Sequence, residues 1–312
     1  MVNVSLEKRK IYQKYYRMKY DVATATRVAD LSVGSIQDGQ MIFASDVAKK
    51  NAYDTGMFYL RIPDNLFLDP LDLLNKAIFS NSSVGRSFRS LTSAHFDDPL
   101  LGYHMRVNQI EQFLLERRFW DRHLESSIQD ILSHLINVSA VLIRDVLDYC
   151  GIPKEDQKQA TGGCLENTGS YHLTFNHYRP AVDSSGLNPH KDDGFITMLR
   201  VCGPGLEINR GARWERVEPL NGHLVINFGL AMQILTAFCQ RSVDSILHRV
   251  ARQETDRISF GLFCSSRCTG EDAGIFQYHE REGLHRLCES RDLINLNDYE
   301  IYEGTDTPIQ VV

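Results

Sequence analysis

The chain has 312 residues, of which 43% are hydrophobic and 24% are charged, and its formal net charge is −6. This composition is typical of a globular protein with a sizeable core, and the acidic balance disfavours a nucleic-acid-binding protein. No apolar run approaches the roughly 20 residues of a membrane-spanning helix, and the first residues lack the apolar core of a signal peptide.

The seven cysteines point to a reducing compartment. Their number is odd, their spacings are long, and no C-x-x-C pair occurs among them. A disulfide framework is therefore not expected, and ordinary thiols are typical of proteins in the cytosol. We expect a cytoplasmic protein without a membrane partner.

The first half of the chain has the pattern of a mainly helical region. Gly151 and Pro153 would end its last helix, and the polar residues 154–168 that follow predict a loop. The expected elements, in chain order, are a helix over 6–20, a strand over 41–44, a helix that runs through Ala52 with Ser45 and Asp46 as its N-cap candidates, a strand over 56–62, a helix over 69–79 and a long helical segment over 108–149.

The second half has the pattern of short strands separated by turn residues. They are expected over 171–178, 195–201, 206–208, 213–217, 223–227, 246–250 and 257–264. Such a succession is typical of a barrel or jelly roll, so the predicted fold class is α+β, mainly β. Because 154–168 is too short to separate two domains, we expect one integrated unit. In it, residues 1–168, with strands near 41–62, pack on a core formed by residues 169–312.

Histidine and aspartate two positions apart suggest a metal site in one of two places. H-x-D triplets occur at His95 and Asp97 and at His190 and Asp192, about as many as chance predicts from 11 histidines and 24 aspartates. Context separates the two triplets, because the first lies in a polar loop and the second lies at the end of a strand-rich stretch. On an extended segment, residues i and i+2 point to the same side, so the second pair can bind one metal ion.

A third ligand for that metal is available on a distant strand. His248 follows Asp192 by 56 positions and lies within the predicted strand over 246–250. Two histidines and one carboxylate on one face of a metal leave three positions open, which suits Fe(II) chemistry with oxygen. We therefore predict that His190, Asp192 and His248 bind a metal ion.

A predicted strand close to His248 carries a second polar pair. Arg257 and Ser259 are two positions apart on an otherwise apolar strand, so both face one side. A guanidinium and a hydroxyl together form a good receptor for a carboxylate, whereas an unpaired buried arginine is costly. A buried structural salt bridge is the alternative explanation for Arg257.

These motifs together resemble a known family. The metal motif, the sequence around His248, the Arg257-x-Ser259 pair and the segment from Asn176 to Pro180 are similar to the Fe(II)- and 2-oxoglutarate-dependent oxygenases of the isopenicillin N synthase-like branch. The resemblance is strong over residues 171–266 and weaker over 41–62.

The resemblance implies a double-stranded β-helix, or jelly roll, with helices packed outside. It implies Fe(II), 2-oxoglutarate and O2 as the reactive partners, with ascorbate as a supporting reductant. Arg257 and Ser259 would bind the distal carboxylate of 2-oxoglutarate, and Tyr178 and Asn176 would add hydrogen bonds to it. His177 replaces a common tyrosine of the family's motif.

The implied function is the oxidation of a C–H bond in a small, amino-acid-derived or other secondary metabolite. Hydroxylation, desaturation and oxidative cyclisation all remain open. Phe263 and Arg200 are candidate substrate contacts, although core packing and an ordinary salt bridge explain them as well. Two alternatives are an iron oxidase of the same fold that does not use 2-oxoglutarate and a non-catalytic metal-binding jelly roll. No pattern indicates an oligomeric state.

Overall fold

The computed structural model describes residues 14–15, 23–270 and 273–302. The predicted helix over 6–20 therefore lies outside the described residues, apart from 14–15. The helices are α1 (Asp46–Thr55), α2 (Asp69–Ile78), α3 (Ser83–Ser90), α4 (Ser93–Phe96), α5 (Trp120–His123), α6 (Ser126–Cys150), α7 (Lys154–Ala160), α8 (Leu230–Thr236) and α9 (Ser290–Tyr302). None of these described helices is long and apolar enough to cross a membrane.

The strands form a large sheet, a smaller sheet and a separate hairpin. The strands are β1 (Arg27–Val28), β2 (Val33–Gln37), β3 (Gln40–Phe43), β4 (Met57–Arg61), β5 (Gly102–Met105), β6 (Ile110–Glu116), β7 (Ser170–Tyr178), β8 (Leu187–His190), β9 (Ile196–Val201), β10 (Leu206–Arg210), β11 (Arg213–Val217), β12 (His223–Phe228), β13 (His248–Val250), β14 (Arg257–Ser265), β15 (Ile275–His279) and β16 (Gly283–Cys288). The large sheet has the order β3-β2-β4-β12-β9-β14-β7-β6-β5, and the smaller one has the order β1-β11-β10-β13-β8.

The two sheets form the double-stranded β-helix that was expected, with a cavity between them. Strand alternation gives the large sheet two different faces. On β7, Tyr171, Leu173 and Phe175 belong to the main apolar core, whereas the side chains between them line the cavity. The same alternation holds on β14, where Phe260 and Leu262 enter the core. One face of the large sheet therefore packs in the apolar core, and the other face lines the cavity.

Helix α6 covers the apolar face of the large sheet. Its buried side chains recur at spacings of three and four, as in Leu132, Leu135 and Ile136. Gly151 ends this helix in the left-handed conformation with φ of 75°, as its position in the sequence predicted. Of the two N-cap candidates, Ser45 caps helix α1, because its Oγ accepts a hydrogen bond from the backbone N–H of Ala48 at 3.1 Å, and Asp46 is the first helical residue.

The first half of the chain is less helical than expected. The predicted helical segment over 108–149 was wrong at its beginning, where β6 pairs with β7 along its whole length. Residues 110–116 are rich in Glu, Gln and Leu, which favour helices, but pairing with a neighbouring strand outweighs this weak preference. Strands β2–β5 likewise join the large sheet.

Two further stretches differ from expectation. The segment 154–168, predicted as a loop, contains α7, whose first turn carries Glu155 and Asp156 in favourable positions near the helix N-terminus. Beyond residue 266, where no motif was found, the chain forms the hairpin of β15 and β16 and then α9. Helix α9 contributes Ile294, Asn297 and Ile301 to the wall of the cavity.

Candidate metal centre and its cavity

The cavity between the two sheets holds most of the predicted site residues. It opens to solvent and is lined by apolar side chains with several polar groups among them, as is usual for a ligand site. His190, Asp192 and His248 lie in its wall, as do the four residues that were expected to bind 2-oxoglutarate: Asn176, Tyr178, Arg257 and Ser259.

The pairing of β8 with β13 brings the two histidines together. His190 ends β8, His248 begins β13, and the two residues are register partners with ring centroids 4.2 Å apart. Asp192 follows His190 by two residues, and its Oδ1 lies 3.6 Å from the Nε2 of each histidine. Among the described residues, this is the group of three whose ligand atoms converge closely enough to hold a metal ion.

Backbone carbonyls fix which nitrogen of each histidine faces the centre. The Nδ1 of His190 lies 2.8 Å from the carbonyl oxygen of Asn188, and the Nδ1 of His248 lies 3.1 Å from that of Ile246. Because a carbonyl only accepts hydrogen bonds, each Nδ1 carries the proton. Each Nε2 then has a free lone pair directed at the centre, which is the usual tautomer of metal-binding histidine.

The carboxylate of Asp192 is oriented in the same way. Its Oδ2 accepts hydrogen bonds from the hydroxyl of Thr197 and from the Nδ2 of Asn227, the latter at 2.6 Å, so Oδ1 is left to face the histidines. Burial alone would raise the pKa of Asp192, but the two histidines and these hydrogen bonds hold it below its usual value. Burial and His248 lower the pKa of His190 to about 4. A charged carboxylate and a neutral imidazole are the forms that bind metals.

Arg257 lies in the same cavity with an unused donor. Its side chain is 4% exposed, its Nε donates to the carbonyl of Pro204 at 2.8 Å, and its guanidinium lies 4.6 Å from the ring centroid of Tyr178. Its Nη1 is buried and donates to no described residue. A buried guanidinium donor without an acceptor is unfavourable, so this geometry fits a carboxylate ligand supplied from outside the chain.

Three polar side chains lie beside Arg257 in the cavity wall. Ser259 lies two residues along β14, and Tyr178 and Asn176 are the register partners of Arg257 and Ser259 on β7. Burial raises the pKa of Tyr178, so its phenol stays protonated and can donate a hydrogen bond. The Oδ1 of Asn176 accepts from the Nε2 of Gln112 at 3.0 Å, which fixes the orientation of its amide.

Residues 169–266 match the family model described as the 2OG-Fe(II) oxygenase superfamily. This third of the chain is similar to that superfamily. The donor set described above fits the family's cofactors, because two histidines and one carboxylate suit Fe(II) and the unpaired Arg257 suits 2-oxoglutarate.

Several curated oxygenases are similar to part of the chain. Gibberellin 3-beta-dioxygenase 1 of Pisum sativum is 37% identical over 115 residues, which cover 35% of this chain and 30% of the relative. Hyoscyamine 6-dioxygenase of Hyoscyamus niger is 33% identical over 146 residues, which cover 44% and 42%. The matches thus span less than half the length of these relatives.

Solved structures are similar over most of the chain. JOX2 in complex with 2OG, Fe and JA has a TM-score of 0.64 at 16% identity, covering 95% of this chain and 94% of the other. The dioxygenase for auxin oxidation in rice has a TM-score of 0.59 at 17% identity, covering 88% and 98%. At these identities the likeness shows a common fold.

His177, the departure from the family's motif, and its neighbour Arg179, which precedes Pro180, lie away from the cavity. His177 bonds through Nδ1 to Glu111 at 2.6 Å and lies 3.1 Å from Asp256 through Nε2. The guanidinium of Arg179 donates to backbone carbonyls between β5 and β6, including that of Gln109 at 3.0 Å. Both side chains stabilise strand connections, so the cavity face of the motif keeps the family's pattern.

The other candidate residues separate into one that lines the cavity and two that do not. Phe263 lies in the wall, where a substrate contact stays a prediction. The suggestion that Arg200 contacts substrate was wrong, because alternation along β9 directs it to the opposite face, where it pairs with Asp72 at 3.1 Å. His95, the rejected alternative, hydrogen-bonds with its Nδ1 to the backbone of Thr92 and caps α4.

The loop of the metal motif is held by the start of α8. The backbone N–H of Leu230 donates to the carbonyl of Asp192 at 2.7 Å. Gly229 is required there, since a Cβ at this position would lie 2.2 Å from the carbonyl oxygen of Gly194. Lys191, between the two ligands, is 2% exposed and donates to the Oε1 of Gln233 at 3.0 Å. The motif is therefore rigid on both sides of the metal ligands.

Sequence reasoning missed several cavity residues. His172 and Thr174 line the cavity, and a signal for them existed, because they alternate with Asn176 and Tyr178 along β7. Gln112 was missed because β6 was taken for a helix. The residues of α9 lie beyond the region of family resemblance and had no signal.

The hydroxyl of Thr197 provides a test of the metal centre. We expect Thr197→Val to weaken Fe(II) binding by about 10- to 100-fold, because partners that orient a ligand carboxylate typically contribute that much to metal affinity. Anaerobic titration with Fe(II), followed by calorimetry, measures the change. Thr161→Val is the matched control, since Thr161 is equally buried but donates to the carbonyl of Gln157 at 2.9 Å. Equal metal affinities in the two variants would contradict the assignment.

Proposed function

We propose that the protein is an Fe(II)- and 2-oxoglutarate-dependent oxygenase that oxidises a C–H bond of a small molecule. One observation carries the proposal: the cavity contains both a converging His-Asp-His triad and a buried guanidinium with an unused donor. The triad alone would fit any metal-binding jelly roll. Together with Arg257, it fits a metal and a dicarboxylic co-substrate bound side by side.

The cavity residues have two proposed roles, which are to hold the metal ion and to position the co-substrate. In this proposal His190, Asp192 and His248 would hold Fe(II) through their three converging ligand atoms. Arg257 and Ser259 bind the distal carboxylate of 2-oxoglutarate. When bound, iron and 2-oxoglutarate would activate O2, which takes two electrons from the co-substrate, released as succinate and CO2, and two electrons from a substrate C–H bond.

The apolar part of the wall protects this chemistry from water. Leu187, Leu206 and Val250 line the cavity beside the polar residues and are all buried. A low-dielectric surrounding strengthens the ion pair between Arg257 and a carboxylate and keeps solvent from the open face of the metal. Whether hydroxylation, desaturation or cyclisation follows depends on which C–H bond is placed near the metal.

We further propose that the substrate is a small, amino-acid-derived or other secondary metabolite. The names of three relatives support this class: gibberellin 3-beta-dioxygenase, hyoscyamine 6-dioxygenase and mugineic-acid 3-dioxygenase. We place the protein in the cytoplasm, which agrees with seven cysteines that form no disulfide in the described chain. In this view residues 1–168 and 169–312 act as one catalytic unit.

Coupled succinate formation tests the proposal. The protein is incubated with Fe(II), 2-oxoglutarate, ascorbate, O2 and a library of small metabolites, and succinate and product mass are measured together. We expect one succinate for each product, which has lost two hydrogens or gained one oxygen. Product without succinate would favour the oxidase of the same fold. If O2 uptake in the presence of Fe(II) and 2-oxoglutarate stayed at the level of the metal-free control with every candidate substrate, a non-catalytic jelly roll would be favoured.

A further inference from the structure

The pairing of β7 with β14 arranges the cavity residues as a ladder. Side chains that face the cavity occur at every second position of both strands. In order along the ladder, the facing pairs are Arg257 with Tyr178, Ser259 with Asn176, Gly261 with Thr174, and Phe263 with His172. The first two pairs are the four residues predicted to bind 2-oxoglutarate. The last pair lies roughly 20 Å along the strand from Arg257, at about 3.3 Å per residue.

The last pair of the ladder lies at the level of the metal centre. Thr197, whose hydroxyl holds Asp192, is the register partner of Phe263 on the other side of β14. A co-substrate held between Arg257 and the metal therefore lies on the Arg257 side of this last pair. A substrate whose C–H bond must approach the metal has to use the end formed by Phe263 and His172.

His172 has the properties of an unused recognition group. Its side chain is 8% exposed and lines the cavity, and no hydrogen bond or ion pair from the described residues engages it. Burial and the neighbouring Arg291 lower its pKa to about 4, so the imidazole is neutral at neutral pH. A neutral imidazole offers one donor and one acceptor. Because His172 lines the cavity, both ring nitrogens are available to a ligand there.

The charges around this end of the cavity disfavour an anionic substrate. Among the described residues that line the cavity, Arg257 is the one with a permanent positive charge. The nearest arginines behind His172 are already paired, since Arg118 and Arg291 both bind Asp98, at 2.9 and 2.7 Å. Asp193 adds a carboxyl group to the same wall. A substrate carboxylate at this end would lose its hydration without gaining a cationic side chain of the described cavity wall.

We propose that His172 is a specificity-determining residue that binds an uncharged polar group of the substrate, such as a hydroxyl or an amide, while Phe263 packs on its apolar body. This inference rests on the proposed function, because it assigns the substrate end of the same cavity. It predicts discrimination against molecules that present a carboxylate at this end.

Matched probes test the inference without turnover. Binding is measured anaerobically by calorimetry in protein loaded with Mn(II) and 2-oxoglutarate. The probes share a phenyl, indolyl or cyclohexyl frame and carry an ethanol, acetamide or acetate side chain. We expect at least one alcohol or amide to bind, and to bind ten-fold or more tighter than the acetate of its frame. Failure of every neutral probe, or acetates that bind as tightly, would overturn the proposal.

Variants of His172 show whether this residue is responsible. We expect His172→Leu to abolish the preference for neutral probes, His172→Gln to keep it, and His134→Leu, on the exposed surface of α6, to behave as the unchanged protein. A preference that survives in His172→Leu also overturns the proposal. Affinity for Mn(II) and 2-oxoglutarate is measured in the same samples and should not change. If the unchanged protein bound neither Mn(II) nor 2-oxoglutarate, that result would contradict the proposed function. The failure of the inference about His172 and the failure of the proposed function are therefore distinguishable.

Discussion

Asp192→Asn is expected to reduce iron-dependent turnover and Fe(II) affinity by at least about 100-fold, because it removes the negative charge from the centre of the triad. The change is almost isosteric, and Thr197 and Asn227 remain to hold the side chain. The loss should therefore come from the metal and not from the fold. Metal titration, succinate formation and circular dichroism of the same preparation measure the three quantities.

The second H-x-D triplet of the chain supplies the control. Asp97 is exposed, ends α4 in the left-handed conformation and lies outside the cavity. Asparagine tolerates that conformation, so Asp97→Asn should fold and bind Fe(II) as the unchanged protein does. If both variants kept their iron affinity, or if both lost it, the triad would not be the metal site.

Arg257→Met is expected to raise the concentration of 2-oxoglutarate needed for half-maximal turnover by roughly 10- to 150-fold. A hydrogen bond to a charged group contributes about 1.5–3 kcal/mol, and methionine keeps the packing of the side chain while it removes every donor. The turnover number at saturating co-substrate should change much less, because the metal ligands are untouched. Initial rates over a range of 2-oxoglutarate concentrations separate the two effects.

Arg200→Met is the matched control for this prediction. Arg200 lies on β9, directly beside β14, but it faces the opposite side of the sheet and pairs with Asp72. Its loss should leave the 2-oxoglutarate requirement unchanged and have a small effect on stability, as expected for a partly exposed ion pair. If Arg257→Met showed an unchanged co-substrate requirement, Arg257 would be a structural arginine or a contact for the substrate carboxylate, as in the oxidase alternative.

Local patterns in the sequence were sufficient where one strand or one helix end carries the information. Alternation predicted that Arg257 and Ser259 share a face, and Gly151 marked the end of α6. Local sequence patterns failed where pairing with a neighbouring strand determines the secondary structure of a segment. The residues of β6 prefer a helix when considered alone, and only pairing with β7 makes them a strand. For Arg200 a substrate contact and a salt bridge both stayed open, because the sequence does not give the orientation of its strand in the sheet, and the structure shows the salt bridge with Asp72.

The sequence by itself determined the chemical groups of the site: two histidines, one aspartate, an arginine and a serine, at spacings that fit short strands. It also determined the jelly-roll class through the succession of those strands. Only the tertiary structure decided that the Nε2 atoms of His190 and His248 converge on Asp192, because these residues meet through pairing between β8 and β13, which lie far apart in the chain. The tertiary structure also placed His172 opposite Phe263 at the metal end of the cavity. Contacts between distant segments depend on the packing of the whole chain, and residue spacing along one strand does not encode them.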